Sequence, residues 1–584
     1  MLNVEQRRTL IETALGRQPL DLIVENVRLV NVYTGMVEPA ALGIKAGRIV
    51  TLNAEGLESE EVFDGRGRYA LPGFIDTHVH IDSTLLTPES LAELILPHGT
   101  TLMLADPMES ANVGGFQGLQ ALLQSAGDLP YHLLIEVSSR VPTAPGLETT
   151  GGELGLADVE RILKWENCVS LGELDPSKVL GLRDEYLAKI SAAHALGKIA
   201  NGHAAGLSGR ELEAYVCGGL SDDHECVDYA DALARLRLGM PVFVREGSTE
   251  RNLDLIIPSL LSSGLDTRNL MFCTDDKHPD DIVREGHIDY MVNRAIELGV
   301  PPIQAIQMAS LNAAMHFRID HLVGSLSLGR WADIILAEDL QHIVPMQVFF
   351  KGRLVMQNGE LVSHIPAVKY PEWFSQTVRV TRGKQAGDFY LAASGSQAGV
   401  RVIELYPNQI INRCGQAVLA VVNGNVVGDI QRDVLKLAVV ERYGKNGNIG
   451  ISFTRGFGLK RGALASSVAH DHHNIIVVGT NETDMAACVR AIEAMQGGLA
   501  AAVDGEVVGQ LPLPLGGLMS EKTAGEVITD LEQITRHAQN LGCTLPAPFM
   551  TISFISLPTV PELGLTDMGL VDVRRHALIS SFVD

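Results

Sequence analysis

Hydrophobic positions change their spacing several times along the chain, and each change predicts a different kind of element. Residues 1–21 mix Glu5, Arg7, Arg8 and Glu12 among scattered apolar residues, the pattern of an amphipathic helix. Over residues 21–53 short apolar runs such as Leu22-Ile23-Val24 and Val27-Arg28-Leu29-Val30 alternate with turn residues, notably Thr34-Gly35 and Ala46-Gly47. That rhythm predicts a small antiparallel β unit. Runs of the same kind return over residues 323–362, with Gly352 and Asn358-Gly359 as turns. Two β-rich flanks around one insertion predict a β-sandwich split between residues 1–68 and 321–363, with the ends of the insertion close together.

The insertion, residues 69–320, alternates short apolar runs with stretches of helical period. The runs fall at residues 71–75, 101–105, 132–137, 168–172, 198–201, 219–221, 241–244 and 270–273. Eight β-then-α units over roughly 250 residues have the rhythm of an α/β (β/α)8 TIM barrel. The alternative, an open doubly wound sheet, lacks a G-x-G-x-x-G after its first strand. From residue 364 to 584 strands with longer connections precede helical stretches at 482–495 and 521–541, which predicts a C-terminal α+β domain.

Composition narrows the function classes. The 584 residues are 46% hydrophobic and 20% charged, with a formal net charge of -24. A surface so acidic excludes nucleic acid as the expected partner, because phosphate binding needs clustered Lys and Arg. It suits a small, neutral or cationic partner. The apolar stretches are too short to span a bilayer and the N-terminal pattern lacks a signal peptide's apolar core, so no membrane is expected and the cytoplasm is the expected address. Seven cysteines without C-x-x-C spacing form neither a disulfide framework nor a zinc ribbon. A homo-oligomer, a dimer, is the expected assembly.

The candidate chemistry lies where the predicted strands end. Leu71-Pro72-Gly73-Phe74-Ile75-Asp76-Thr77-His78-Val79-His80 closes on two histidines that strand alternation turns to the same side, where both imidazoles reach one metal ion. The fourth run ends in Glu173, the fifth in His203, the sixth in Asp222-Asp223-His224-Glu225 and the eighth in Asp275-Asp276. Barrel enzymes place their chemistry at those ends. His78, His80, Glu173, His203, His224 and Asp275 exceed what one catalytic ion uses, so two ions bridged by Glu173 are the simplest reading, with zinc, manganese or iron suited to the mixed donors. Such a pair supplies hydroxide at neutral pH, and Asp275 is placed to act as base and then acid. The expected reaction is hydrolysis at an sp2 carbon. A Pro-Cys-x-x-Cys signature is absent, which excludes the cytidine-deaminase type of zinc enzyme. His470-Asp471-His472-His473 reads as a solvated or substrate-gating loop rather than a second metal site.

The first motif, with the barrel, the split sandwich and the terminal Asp275, resembles the amidohydrolase superfamily. Longer strings, including Leu96-Pro97-His98-Gly99-Thr100-Thr101, Asn201-Gly202-His203-Ala204, Thr274-Asp275-Asp276-Lys277-His278-Pro279-Asp280 and Ala465-Ser466-Ser467-Val468-Ala469-His470-Asp471, resemble the adenine deaminases of the bacterial Ade type over nearly the whole chain. The resemblance implies hydrolytic deamination of adenine to hypoxanthine and ammonia, with a manganese or iron pair and hydroxide attack at C6. Glu225 is then a candidate to protonate the ring, or else orients a neighbouring ligand. The chain departs from the family pattern with Met108 and Glu109 after Asp106-Pro107, Arg140 in a Ser-Cys-Val-Pro string, and Asp82 in place of Glu. Together with Asp276 these are the expected substrate-binding positions. Alternatives are the same chemistry on another 6-aminopurine, a cyclic amide or an amidine, and a catalytically silent relative kept for binding or assembly.

Overall fold

The computed structural model describes residues 2–365, 367–406, 411–560 and 562–583. The expected helical start is met as Val4–Ala14, capped by Asn3, whose side chain accepts from the Gln6 N–H while the Gln6 side chain accepts from the Asn3 N–H. Met1 lies outside the described residues. The flanks join in one nine-stranded sheet rather than facing each other as separate sheets. Leu20–Asn31 pairs antiparallel with Met36–Lys45, and Tyr69–Pro72 pairs antiparallel with Ile334–Ala337, Pro72 opposite Ile334 and Tyr69 opposite Ala337. Val24, Leu29, Leu42, Ile334 and Phe349 pack in the core of this sheet.

Gly73 alone separates Tyr69–Pro72 from Phe74–Val79, the first strand of the central region. A Cβ on Gly73 would stand 2.0 Å from Thr101 Oγ1, so the chain passes there only as glycine. Phe74–Val79, Thr100–Ala105, His132–Val137, Cys168–Leu174 and Ile199–Gly202 form a five-stranded parallel sheet in chain order. Val242–Arg245 and Leu270–Cys273 form a parallel pair. A bridge from Val79 to Asp275 links the sheet to the chain that leaves the pair, and Asp223, outside both pieces, bridges to Val242. The residues of these strands are mostly buried on both faces, with polar side chains such as Asp76, His78, Glu136 and Glu173 among the apolar ones.

One expected strand is corrected. Residues 219–221 form no strand; Ser221 donates its N–H to the Ala200 carbonyl (2.8 Å), and only Asp223 makes a bridge. Gly218 precedes this segment and Gly219, at φ +101, opens it, so the backbone there is not extended and no ladder forms.

The C-terminal region carries a nine-stranded, mostly antiparallel sheet and a three-stranded sheet. Helices Glu482–Ala494 and Ala524–Asn540 fall where helical period predicts them. A third helix, Pro548–Phe554, packs near the open end of the parallel strands. No helix among the described residues is long and apolar enough to cross a membrane.

Candidate metal centre

His78 and His80 leave the first parallel strand on the same side, their rings 5.0 Å apart and edge to face. Opposite them the backbone bends sharply: Asp275 adopts φ +57, an unusual conformation for a side chain larger than glycine. Reciprocal hydrogen bonds hold it there, from the His80 N–H to the Asp275 carbonyl and from the Asp275 N–H to the His78 carbonyl, each 3.0 Å. Asp275 Oδ1 thus lies 3.5 Å from His80 Nε2 and 3.8 Å from His78 Nε2.

Glu173 stands between two histidine groups. Its Oε1 lies 3.7 Å from His80 Nε2, and its Oε2 lies 2.7 Å from His203 Nδ1 and 3.0 Å from His224 Nε2. Donor atoms within 4.8 Å of one another group as His78, His80 and Glu173; as His78, His224 and Asp275; and as Glu173, His203 and His224. A fourth group joins Glu109, His470 and His473.

The tautomers suit cation ligation. His78 Nδ1–H donates to Glu136 Oε2 (2.9 Å) and His80 Nδ1–H donates to the Asp106 carbonyl (3.1 Å), so Nε2 of each ring is the nitrogen turned toward the other donors. Burial, with His224 and His80 nearby, lowers the pKa of His78 to about 4, so its ring is neutral. His78 Nε2 and His203 Nε2 are buried without hydrogen-bond partners. Asp82, Asp106, Glu109, Glu136, Glu173, Glu225, Asp275 and Asp276 are all buried, against the guanidiniums of Arg140 and Arg245. Carboxylates and imidazoles gathered this closely form a donor set that fits divalent ions.

The remaining expected residues are placed unevenly. Glu225 is gripped by Arg245, Nη1 at 2.7 Å and Nη2 at 3.2 Å, and the same Nη1 bonds Asp275 Oδ2 at 2.6 Å. Burial opposes ionisation of Glu225, but Arg245 and His203 hold its pKa well below the usual range. Arg140 Nη2 donates to Glu173 Oε1. Asp82 accepts from the Ser110 N–H (2.6 Å), and burial together with Glu109 raises its pKa. Asp276 accepts from the Ser83 hydroxyl, and burial raises its pKa to about 6. Met108 is buried in an apolar cluster that includes Val137 and Val141.

A cavity of about 30 Å³ opens here, lined on one side by His80, Arg140, Glu173 and Asp275. The other side is His470, Asp471, Phe554 and Leu557, all from the C-terminal region. It has room for a water or two, so a larger ligand enters only as side chains move apart.

Residues 69–362 match the Amidohydrolase family, and residues 409–577 match the Adenine deaminase C-terminal domain. An adenine deaminase of Desulforamulus reducens is 53% identical over 98% of both chains, and one of Methanococcoides burtonii is 40% identical over 98% of both. The chain belongs to the amidohydrolase family and, within it, to the adenine deaminases. Among solved structures, an adenosine deaminase from Xanthomonas campestris with bound zinc aligns over 59% of this chain and 95% of its own, at 14% identity and a TM-score of 0.45.

In this member of the adenine deaminase family, Glu136 escapes sequence reasoning, and two other parts of the site are only half read from it: Arg245 as a substrate contact or an internal ion pair, His470 as part of a solvated or substrate-gating loop. Glu136 sits inside an apolar strand, and its only signal is a carboxylate at a buried alternation. Arg245 follows a strand as an expected site residue does, yet nothing local names Glu225 and Asp275 as its partners. His470 belongs to a distant segment that reads as a loop, while the structure buries it to 2% exposure in the cavity wall.

Proposed function

We propose that the protein hydrolyses adenine to hypoxanthine and ammonia at a centre that holds two divalent ions. His78, His80 and Asp275 would serve one ion, His203 and His224 the other, with Glu173 shared between them. The observation that carries this reading is Glu173, whose two oxygens face two different histidine groups. When bound, the ions supply Lewis-acid activation of water at neutral pH. Manganese or iron is the expected metal, with zinc as the alternative.

The chain's own residues then divide the work. Asp275 takes a proton from the attacking water and returns it to the departing amino group, so that adenine and water give hypoxanthine and ammonia. Arg245 keeps Asp275 ionised and aimed by bonding its other oxygen. Glu225, held by the same guanidinium, orients Arg245 and His224 rather than protonating the ring. Asp82, Glu109, Arg140 and Asp276 shape the pocket for the base, with Met108 packed behind them.

We read the parallel strands, with their connecting bridges, as a (β/α)8 barrel over residues 69–320. Residues 1–68 and 321–363 supply the split β unit and residues 364–584 the C-terminal α+β domain. A cytoplasmic homodimer acting in purine salvage is the expected setting.

The test is ammonia release from adenine by protein reconstituted with Mn(II) or Fe(II). Turnover that disappears in Asp275→Asn is the expected result. Two bound metal equivalents with no release from adenine would overturn the reading.

A further inference from the structure

The C-terminal region sends one imidazole into the catalytic cavity, and the role proposed above gives it nothing to do. His470 is anchored through its backbone: its N–H donates to the Ser553 carbonyl (3.0 Å) and its own carbonyl accepts from the Ser556 hydroxyl (2.8 Å). Its ring stacks on Phe554, centroids 4.8 Å apart and planes 13° apart. Nδ1 lies 3.3 Å from Glu109 Oε1, and the other Glu109 oxygen lies 3.3 Å from His80 Nδ1. Nε2 is buried without a hydrogen-bond partner, 3.9 Å from Asp276 Oδ1, in the wall that faces Glu173 and Asp275.

A fixed ring with one nitrogen facing a carboxylate and the other unpartnered in a substrate cavity is a preorganised donor. We propose that His470 is a catalytic residue of the deamination, whose Nε2–H donates to a ring nitrogen of the base and stabilises the negative charge gathering there as C6 becomes tetrahedral. Glu109 is its positioning residue. This inference rests on the adenine reading above. It also supplies what that reading lacks, since Glu225 is fully engaged by Arg245 and is no free donor.

Two observations support it. Burial disfavours the imidazolium, but Asp276 and Glu109 more than offset this and raise the pKa of His470 to about 9, so both ring nitrogens carry hydrogen. A third metal among Glu109, His470 and His473 fits less well. The Ala469 N–H donates to His473 Nδ1 (3.2 Å), which places the His473 proton on Nε2, the nitrogen a metal would need.

The experiment uses full-length protein loaded with Mn(II). His470→Phe is expected to keep its bound metal and lower kcat by about 10²-fold with a small change in KM. His470→Gln, which keeps a donor, recovers part of that loss, and Glu109→Gln falls between. Inhibition by adenine analogues that lack one ring nitrogen each (1-deaza, 3-deaza and 7-deaza) locates the contact: the analogue missing the contacted nitrogen binds wild type and His470→Phe equally, while the others bind the variant more weakly. Unchanged kcat/KM in His470→Phe, equal weakening of every analogue, or loss of metal in step with activity would each overturn the proposal. Wild-type protein that leaves adenine untouched removes the underlying reading instead.

Discussion

Arg245 holds two acidic side chains at once, and that geometry sets the expected order of its variants. Arg245→Met removes the guanidinium that Glu225 and Asp275 share and leaves Asp275 Oδ2 without its buried donor, so kcat/KM for adenine should fall by ~10²-fold or more. Arg245→Lys keeps the charge without the fork and should fall less. An Arg245→Met enzyme as active as wild type would show that Asp275 needs no such partner. Glu136 acts one step further out, through His78 Nδ1. Glu136→Gln should weaken metal affinity by ~10- to 100-fold, read by chelator competition, while activity at saturating metal is largely kept. The contrast between these residues and the histidines explains what was legible. His78, His80, Glu173, His203, His224 and Asp275 announce themselves because a His or carboxylate just after a short apolar run is a local pattern, even where, before His224, that run forms no strand. Glu136, Arg245 and His470 acquire their meaning from partners distant in the chain, such as His78, 58 residues from Glu136, and Glu225 and Asp275, 20 and 30 residues from Arg245.

At the scale of elements, the strand that delivers Glu173 is tuned by the residue before it. A Cβ on Gly172 would meet Asp106 Oδ2 at 2.2 Å and the Val137 carbonyl at 2.9 Å. Gly172→Ala should therefore destabilise the fold by ~1–3 kcal/mol in urea titration and depress activity, because the strand must shift. The loop after the third parallel strand carries Glu148, which accepts from the Ala144 N–H (2.7 Å) and has its other oxygen buried and unpartnered. Burial raises its pKa from 4.5 to about 7. Between those values the unfolded chain releases this proton while the folded one keeps it, so the group removes stability as pH rises through that window. Glu148→Gln should accordingly be more stable than wild type at pH 8, by up to ~3 kcal/mol, and equal to it near pH 4. Urea midpoints across pH check this, and a pH-independent difference would count against it. Seven of the eight expected parallel strands are legible because covered strands are short, mostly apolar runs between turn residues. The run at residues 219–221 misleads because its neighbouring glycines carry no information about pairing.

For the whole molecule, the buried carboxylates and the interdomain contacts make the site and the fold interdependent. Stripping the metal with a chelator should lower Tm by ~5–10 °C, restored by Mn(II), since the ions bind only the folded arrangement. A calorimetric scan unaffected by chelator would speak against ions among these groups. Asp567 joins the C-terminal region to the loop at Thr149, accepting from its N–H (2.9 Å) and its hydroxyl (2.7 Å). Together with the bond from Thr143 to Asp471 (2.7 Å) it seats the wall that completes the cavity.

The split sheet carries a consequence in time. Pro72 pairs with Ile334, so one edge of the Tyr69–Pro72 strand is synthesised 262 residues before its partner. At ~5–20 residues per second on the ribosome, that edge waits on the order of 10–50 s. Through that interval the nascent protein displays one unpaired strand edge, joined through Gly73 to the strand carrying His78 and open to other chains. Yield during synthesis is thus governed by how fast residues 73–333 are made and by what shields the edge meanwhile, more than by the stability of the finished enzyme.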